Sequence, residues 1–152
     1  MKLKHHFWTS LAIGGAISVG TGSVEALAGA MIGGVIIDAD HIIDQVWSIN
    51  EGAPLANRSR PARGKLERLV RRRKLIRLPL IFHSYELMIG LVILAAVLRT
   101  PFVEGLVAGY LLHIALDLIR HHREFRSPLF YLLSYRLVRG FRRERLIKPE
   151  YL

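Results

Sequence analysis

Residues 78–98 read LPLIFHSYELMIGLVILAAVL, and only two of their side chains, His83 and Glu86, are acidic or basic. A helix of this length and polarity can span the roughly 30 Å hydrocarbon core of a bilayer. The stretch therefore predicts a transmembrane helix, and the whole chain is expected to be a membrane protein.

Three further apolar stretches surround this helix. Residues 6–21 and 24–40 are separated by a turn-like Gly-Thr-Gly-Ser and favour a tight helical hairpin, and residues 102–119 form the fourth stretch. The sequence thus predicts an all-α integral membrane four-helix bundle with basic amphipathic interfacial helices, and a single membrane domain over 1–152. A signal peptide is the alternative interpretation of the first stretch, because lysines precede it and small residues follow it.

The composition is both basic and apolar. Lys and Arg number 22 against 12 Asp and Glu, for a formal net charge of +10, while apolar residues make up 51%. The apolar content excludes a disordered basic tail. The absence of cysteine excludes a disulfide scaffold, a thiolate metal site and a Cys nucleophile. Nucleic acid attracts positive charge, but no base-reading or stacking motif accompanies the arginines, so we expect no nucleic-acid partner.

The distribution of positive charge predicts the topology. Lys2, Lys4 and the basic segments 55–77 and 128–147 fall on one side if there are four spans, and the positive-inside rule places that side in the cytoplasm. We therefore expect a multi-pass protein of the inner (plasma) membrane with both termini cytoplasmic. The basic segments are amphipathic, so a lipid bilayer with anionic lipids is the expected partner.

Small residues recur at four-residue spacing in three of the predicted helices. Such spacing lets neighbouring helices approach closely in a membrane. The positions are Ala12/Ala16/Gly20, Gly29/Gly33 and Gly105/Gly109. We expect helices to pack through them, and a homo-oligomer is a further expectation.

Ionisable side chains within apolar stretches are costly, so each one indicates a function. They lie at one depth, near the predicted cytoplasmic ends of the helices: His5, His6, Asp38, Asp40, His41, Asp44, His83, Glu86, His113 and Asp117. His113 and Asp117 are i,i+4 and share a helix face. Imidazole and carboxylate ligands predict a divalent metal ion, with Zn²⁺ as first choice and Mn²⁺, Fe²⁺ or Mg²⁺ as alternatives.

Individual roles follow from residue type and position. We expect the ligands nearest the metal to be Asp40, His41, His83, His113 and Asp117. Glu86 or Asp38 is the expected general base, and Ser84 is expected to hydrogen-bond a ligand carboxylate. The alternatives are structural: a solvated helix end at 38–41, an internal His113–Asp117 pair, and pairing of Glu86 with an arginine.

Three motifs resemble those of the membrane-bound metal-dependent hydrolases, the family that includes the LexA-regulated inner-membrane hydrolases. They are IDADH at 37–41, FHS at 82–84 and GYLLHIALD at 109–117, and the resemblance covers most of the chain. It implies that the metal site consists of His5 or His6, Asp38, Asp40, His41, His83, His113 and Asp117. Ile37 stands where the family has Pro, and Pro79 and Leu80 stand where it has His and Arg, so one group of the family's site is missing.

The leading hypothesis is a metal-dependent hydrolase at the cytoplasmic membrane surface, acting on a lipid or a lipid-linked phosphate or ester, because the site lies at head-group depth. The alternative is a non-enzymatic scaffold or adaptor that binds anionic lipid or a partner protein through its basic segments. A metal or proton carrier would need a polar path across the bilayer, and the far halves of the helices offer only Glu25 and Glu104.

Overall fold

The computed structural model describes residues 3–50, 52 and 75–152, and within these ranges the regular elements are helices. The α-helices are α1 (Leu3–Thr21), α2 (Val24–Val35), α3 (Asp40–Asn50), α4 (Tyr85–Leu98), α5 (Pro101–His121), α6 (Leu133–Val138) and α7 (Arg143–Leu146). Turns of 3₁₀ helix lie at Ile36–Ala39, Pro128–Tyr131 and Pro149–Tyr151. The predicted all-α class is confirmed. The predicted basic segment 55–77 lies outside the described residues except for its last three.

Two helical stretches in the described part of the chain are long and apolar enough to cross a membrane, Val24–Ser48 and Pro101–His121. The first runs through α2, the 3₁₀ turn and most of α3. Helix α4 is also apolar but has only 14 residues, or about 21 Å. Membrane association is thus supported by length and composition, and the four-span bundle stays a prediction.

Helix α4 begins at Tyr85, later than the predicted start at residue 78. Ser84 is its N-cap, with extended backbone and a hydroxyl that accepts from the Leu87 N–H. The preceding residues bond to α3 instead of to a helix of their own: the Ile76 N–H donates to Ser48 Oγ, and the His83 N–H donates to Asp40 Oδ2 at 3.0 Å. Side chains of α3 thus replace the helical hydrogen bonds of segment 75–84.

Helices α2 and α5 pack backbone to backbone. A Cβ atom added at any of four glycines would lie within 2.2 Å of a carbonyl oxygen on the facing helix, a distance that no side chain tolerates: Gly29, Gly33, Gly105 and Gly109. The predicted packing through these two pairs is confirmed. The predicted contact at Gly20 is wrong, because a Cβ there would meet nothing within 4 Å. Gly14 of α1 makes the close approach instead, since a Cβ added there would lie 2.7 Å from the Ala30 Cβ.

The C-terminal residues, which include the predicted amphipathic segment 128–147, form a compact cap of short helices. The chain turns between α6 and α7 at Gly140 and Phe141, which have positive φ. Phe125 stacks on Phe130 with ring centroids 3.8 Å apart, and Tyr131 beside them is buried. This burial raises the pKa of the Tyr131 phenol above its usual value. The same apolar cluster includes Tyr110 and Ile114 of α5, so the cap is seated on that helix.

Candidate metal centre

Four parts of the chain bring histidines and aspartates together. Helix α1 contributes His6, the 3₁₀ turn after α2 contributes Asp38, and segment 75–84 contributes His83. Helix α5 contributes both His113 and Asp117, which are one turn apart. The structure thus brings five of the predicted site residues together.

Four atoms form the centre of this cluster: Asp38 Oδ1, His83 Nε2, His113 Nε2 and Asp117 Oδ2. His83 Nε2 lies 3.0 Å from His113 Nε2, 3.8 Å from Asp38 Oδ1 and 3.7 Å from Asp117 Oδ2. His113 Nε2 lies 3.6 Å from Asp38 Oδ1 and 3.4 Å from Asp117 Oδ2. A tetrahedral zinc ion with bonds of 2.0–2.1 Å holds its ligand atoms about 3.3 Å apart. The five separations given above, 3.0–3.8 Å, lie around this value.

The hydrogen bonds on the far side of each ring decide where its proton lies. His113 Nδ1 is 2.8 Å from the Gly34 carbonyl oxygen, and His83 Nδ1 is 3.1 Å from Asp40 Oδ2. Both partners can accept from an Nδ1–H group, and with its proton there each ring directs its Nε2 into the cluster. Histidine ligands of metals are held in the same way. Two Nε2 atoms 3.0 Å apart are joined either by a shared proton or by a cation that both bind.

Asp40 lies behind His83. It is fully buried, and Oδ2 accepts from the N–H groups of Phe82 and His83 as well as from the His83 ring. The sequence predicts that Asp40 binds the metal directly. In the structure its Oδ2 atom instead holds the orientation of the His83 ring. Such carboxylate–histidine contacts raise the basicity of the ligand and hold its orientation.

Asp40→Asn is expected to weaken metal binding by about 10- to 100-fold while leaving every ligand in place. The amide is neutral and cannot match the carboxylate as an acceptor for three N–H groups. Competition with a chromogenic chelator measures the affinity. Glu104→Gln, an exposed carboxylate at the start of α5, is the matched control. An affinity equal to that of wild type would limit Asp40 to holding the backbone of segment 75–84.

Two histidines flank the four-atom group. His6 is buried, stacks on His113 with ring centroids 3.8 Å apart, and places Nε2 3.3 Å from Asp117 Oδ1. Its neighbour His5 is exposed, so His6 is the member of the predicted pair that reaches the cluster. On the other side, His41 Nε2 lies 3.6 Å from Asp38 Oδ1.

Asp38 is shared by two possible ligand groups. His6, Asp38, His113 and Asp117 form one, and Asp38, His41 and His83 form the other, with ligand atoms in each group within 4.8 Å of one another. The His41 side chain is 54% exposed and its Nδ1 lies 3.5 Å from the buried Asp44 carboxylate. The solvent side of the cluster is therefore the side of Asp38 and His41.

Two predicted residues have other partners. The Glu86 carboxylate accepts hydrogen bonds of 2.8–2.9 Å from the N–H groups of Leu133 and Ser134 and from the Ser134 hydroxyl. Glu86 thereby caps the N-terminus of α6. The Ser84 hydroxyl donates to the Ile81 carbonyl and caps α4. The structure brings neither side chain into the cluster, so the roles expected for them as base and carboxylate partner have no geometric support.

Arg136 is a buried participant that sequence reasoning missed. Its side chain is fully buried, and Nη2 donates to the His83 carbonyl at 3.0 Å. Burial lowers the pKa of the Arg136 guanidinium from its usual value, and the negative charges of Asp40 and Glu86 act in the opposite direction. Nothing in the basic stretch 128–147 distinguishes this arginine from its exposed neighbours, so only the fold reveals it.

No family model, curated protein or solved structure matches the chain. The function therefore has to be argued from the chemistry of the site itself.

Proposed function

We propose that the chain is a membrane-embedded metal-dependent hydrolase that works at the cytoplasmic membrane surface. The observation that carries the proposal is the pair of Nε2 atoms of His83 and His113, 3.0 Å apart and flanked by the carboxylates of Asp38 and Asp117. Two lone pairs and two negative charges in a largely buried space repel one another, and a divalent cation removes that repulsion.

We assign the roles of the site residues from how buried or exposed each side chain is. His83, His113 and Asp117 are buried and hold the ion. Asp38, whose side chain is 18% exposed, lies at the solvent side, where catalytic zinc sites keep a position open. A divalent ion bound there would supply Lewis acidity and an activated water. Asp38, on the solvent side of the residues that would hold the ion, would act as general base.

His41 is suited to the second proton transfer. It is the most exposed histidine of the cluster, and Asp44 on the next turn of α3 orients its ring through Nδ1. Its Nε2 is directed to the same Asp38 oxygen that faces the ligands. In this role His41 donates a proton to the leaving oxygen, a common task of histidine near neutral pH.

The substrate class follows from the depth of the site. His113 and Asp117 lie in the C-terminal half of the candidate span Pro101–His121, and arginines follow at 120 and 123. By the positive-inside rule this end is cytoplasmic, with both termini on the same side. A group cleaved at that level is the phosphate or ester of a lipid or lipid-linked compound. The motifs shared with membrane-bound metal-dependent hydrolases support the same class.

A non-enzymatic scaffold is the second candidate, and one observation favours it. Asp40, Tyr110 and Arg136 all bond to the backbone of residues 82–84, so part of the polar network has a structural task. Pro79 and Leu80, which stand where the resembled family has His and Arg, favour it as well. In this case the basic segments bind anionic lipid and the histidines form a buried hydrogen-bonded network.

The test combines metal content with turnover. Protein purified in detergent is expected to contain a stoichiometric divalent ion and to release phosphate from dioctanoyl phosphatidic acid or fatty acid from dioctanoyl phosphatidylglycerol. EDTA abolishes turnover, and zinc restores it. Asp38→Asn, which keeps the size of the side chain, is expected to lower turnover by about 100-fold or more, as for loss of a general base. Glu104→Gln retains activity. Wild-type protein without metal overturns the proposal, and metal without turnover assigns the centre to structure.

A further inference from the structure

We infer that a cleft in the C-terminal cap binds the phosphate of an anionic lipid head group. The cleft has a volume of about 530 Å³, within the range of small-molecule sites. Its lining is polar and basic: Arg126, Ser127, Leu129, Tyr135, Arg139, Glu144 and Arg145. None of these residues belongs to the metal cluster, so this site is separate from the proposed catalytic centre and does not depend on it.

The charges of the lining favour an anion. The lining contains three arginines and one carboxylate, Glu144, and that carboxylate accepts from Arg142, which is not part of the lining, at 3.4 Å. Guanidinium groups bind phosphate through paired charge-assisted hydrogen bonds.

Two of the arginines are already held in position. Arg126 Nε donates to the Ile147 carbonyl at 2.7 Å, and the Arg139 guanidinium lies over the Tyr135 ring, 5.2 Å from its centre. Side chains held in this way lose little conformational freedom when a ligand binds. Arg126 and Arg139 are therefore preorganised for binding an anion.

The surroundings of the cleft identify a lipid as the source of the phosphate. Large apolar side chains are exposed in this part of the cap: Leu129, which lines the cleft, is 48% exposed, and Leu137 and Val138, which directly precede Arg139 in the sequence, are 63% and 82% exposed. Residues 122–152 follow the candidate span Pro101–His121 directly and carry eight Arg or Lys against three Glu. An apolar rim beside a basic surface at the end of a span suits the head-group region of an anionic leaflet. A water-soluble phosphate compound has no acyl chain to contact these apolar side chains.

The experiment uses the whole protein in dodecyl maltoside. Binding of dioctanoyl phosphatidic acid is measured by thermophoresis, in the presence and absence of EDTA. Arg139→Gln/Arg145→Gln removes two exposed arginines of the cleft, and Arg120→Gln/Arg123→Gln removes the same charge from exposed positions outside it. Thermal unfolding of each variant shows that the fold is kept.

We expect saturable binding that persists in EDTA, falls by about tenfold or more in the cleft variant, and is unchanged in the control variant. Dioctanoyl glycerol, which lacks the phosphate, is not expected to bind. Equal loss in both variants would show that only diffuse charge attracts the lipid, and binding lost with EDTA would belong to the metal centre. Either result overturns the inference. Inorganic phosphate that binds as tightly as the lipid overturns the lipid as its source.

Discussion

His113→Ala is expected to remove the bound metal and with it the stabilisation that the metal provides. The substitution deletes one of two central nitrogen donors and leaves the Gly34 carbonyl, its partner at 2.8 Å, without the ring N–H. Loss of a ligand exceeds the roughly 10- to 100-fold weakening that follows loss of a supporting partner. A ligand that binds only the folded state raises stability, so a chelator should lower the Tm of wild type and leave that of His113→Ala unchanged.

The matched control is His122→Ala, since His122 is an exposed histidine just beyond the same helix. It should retain metal and keep the response to chelator. If wild type contains no metal, ignores the chelator, and His113→Ala only melts earlier, the cluster is a structural polar network. The cost would then be about 1–3 kcal/mol for each buried group left without a partner. That outcome favours the scaffold over the hydrolase.

Gly33→Ala is expected to destabilise the fold by about 3 kcal/mol or more, because its new Cβ would lie 2.0 Å from the Leu106 carbonyl oxygen of α5. A backbone atom cannot rotate out of the way, so α2 and α5 must separate. Separation also moves Asp38, carried beyond α2, away from His113 and Asp117. Metal affinity should therefore fall together with the thermal stability.

Gly90→Ala provides the opposite case. Gly90 lies within α4, and a Cβ there would meet nothing within 4 Å. Alanine is a better helix former than glycine by up to about 1 kcal/mol, so this variant should be as stable as wild type or more so. Thermal unfolding in detergent measures the stability of Gly33→Ala and of Gly90→Ala. Equal melting temperatures for the two variants would contradict the close approach of α2 and α5.

Spacing along a single helix was the part of the site that sequence could predict. His113 and Asp117 share a face of α5 by periodicity alone, and the glycine pairs at 29/33 and 105/109 predicted positions where a neighbouring helix packs closely. Sequence could not decide between His5 and His6, because the answer depends on which face of α1 packs against the other helices. No periodicity distinguishes adjacent residues until the neighbouring helices are known.

Contacts over long sequence separations could not be predicted. Treating 78–98 as one helix placed Glu86 on the same face as His83, whereas the helix begins at Tyr85 and Glu86 caps α6 instead. Asp40 changes from ligand to supporting partner for the same reason, since its bonds go to a non-helical stretch. Arg136 is buried only because the cap folds back on His83.

Segment 75–84 has a consequence for the order of assembly during folding. Most of its hydrogen bonds go to other elements: α3 accepts from its N–H groups, while Tyr110 of α5 and Arg136 of α6 donate to its carbonyls. These partners lie 28 to 53 residues away along the chain, whereas Asp38 and His113 are separated by 75 residues. Because a longer loop costs more entropy to close, we expect α2 and α5 to meet after the segment has found its partners. A partly folded chain would then hold His83 in place before Asp38 reaches His113 and Asp117.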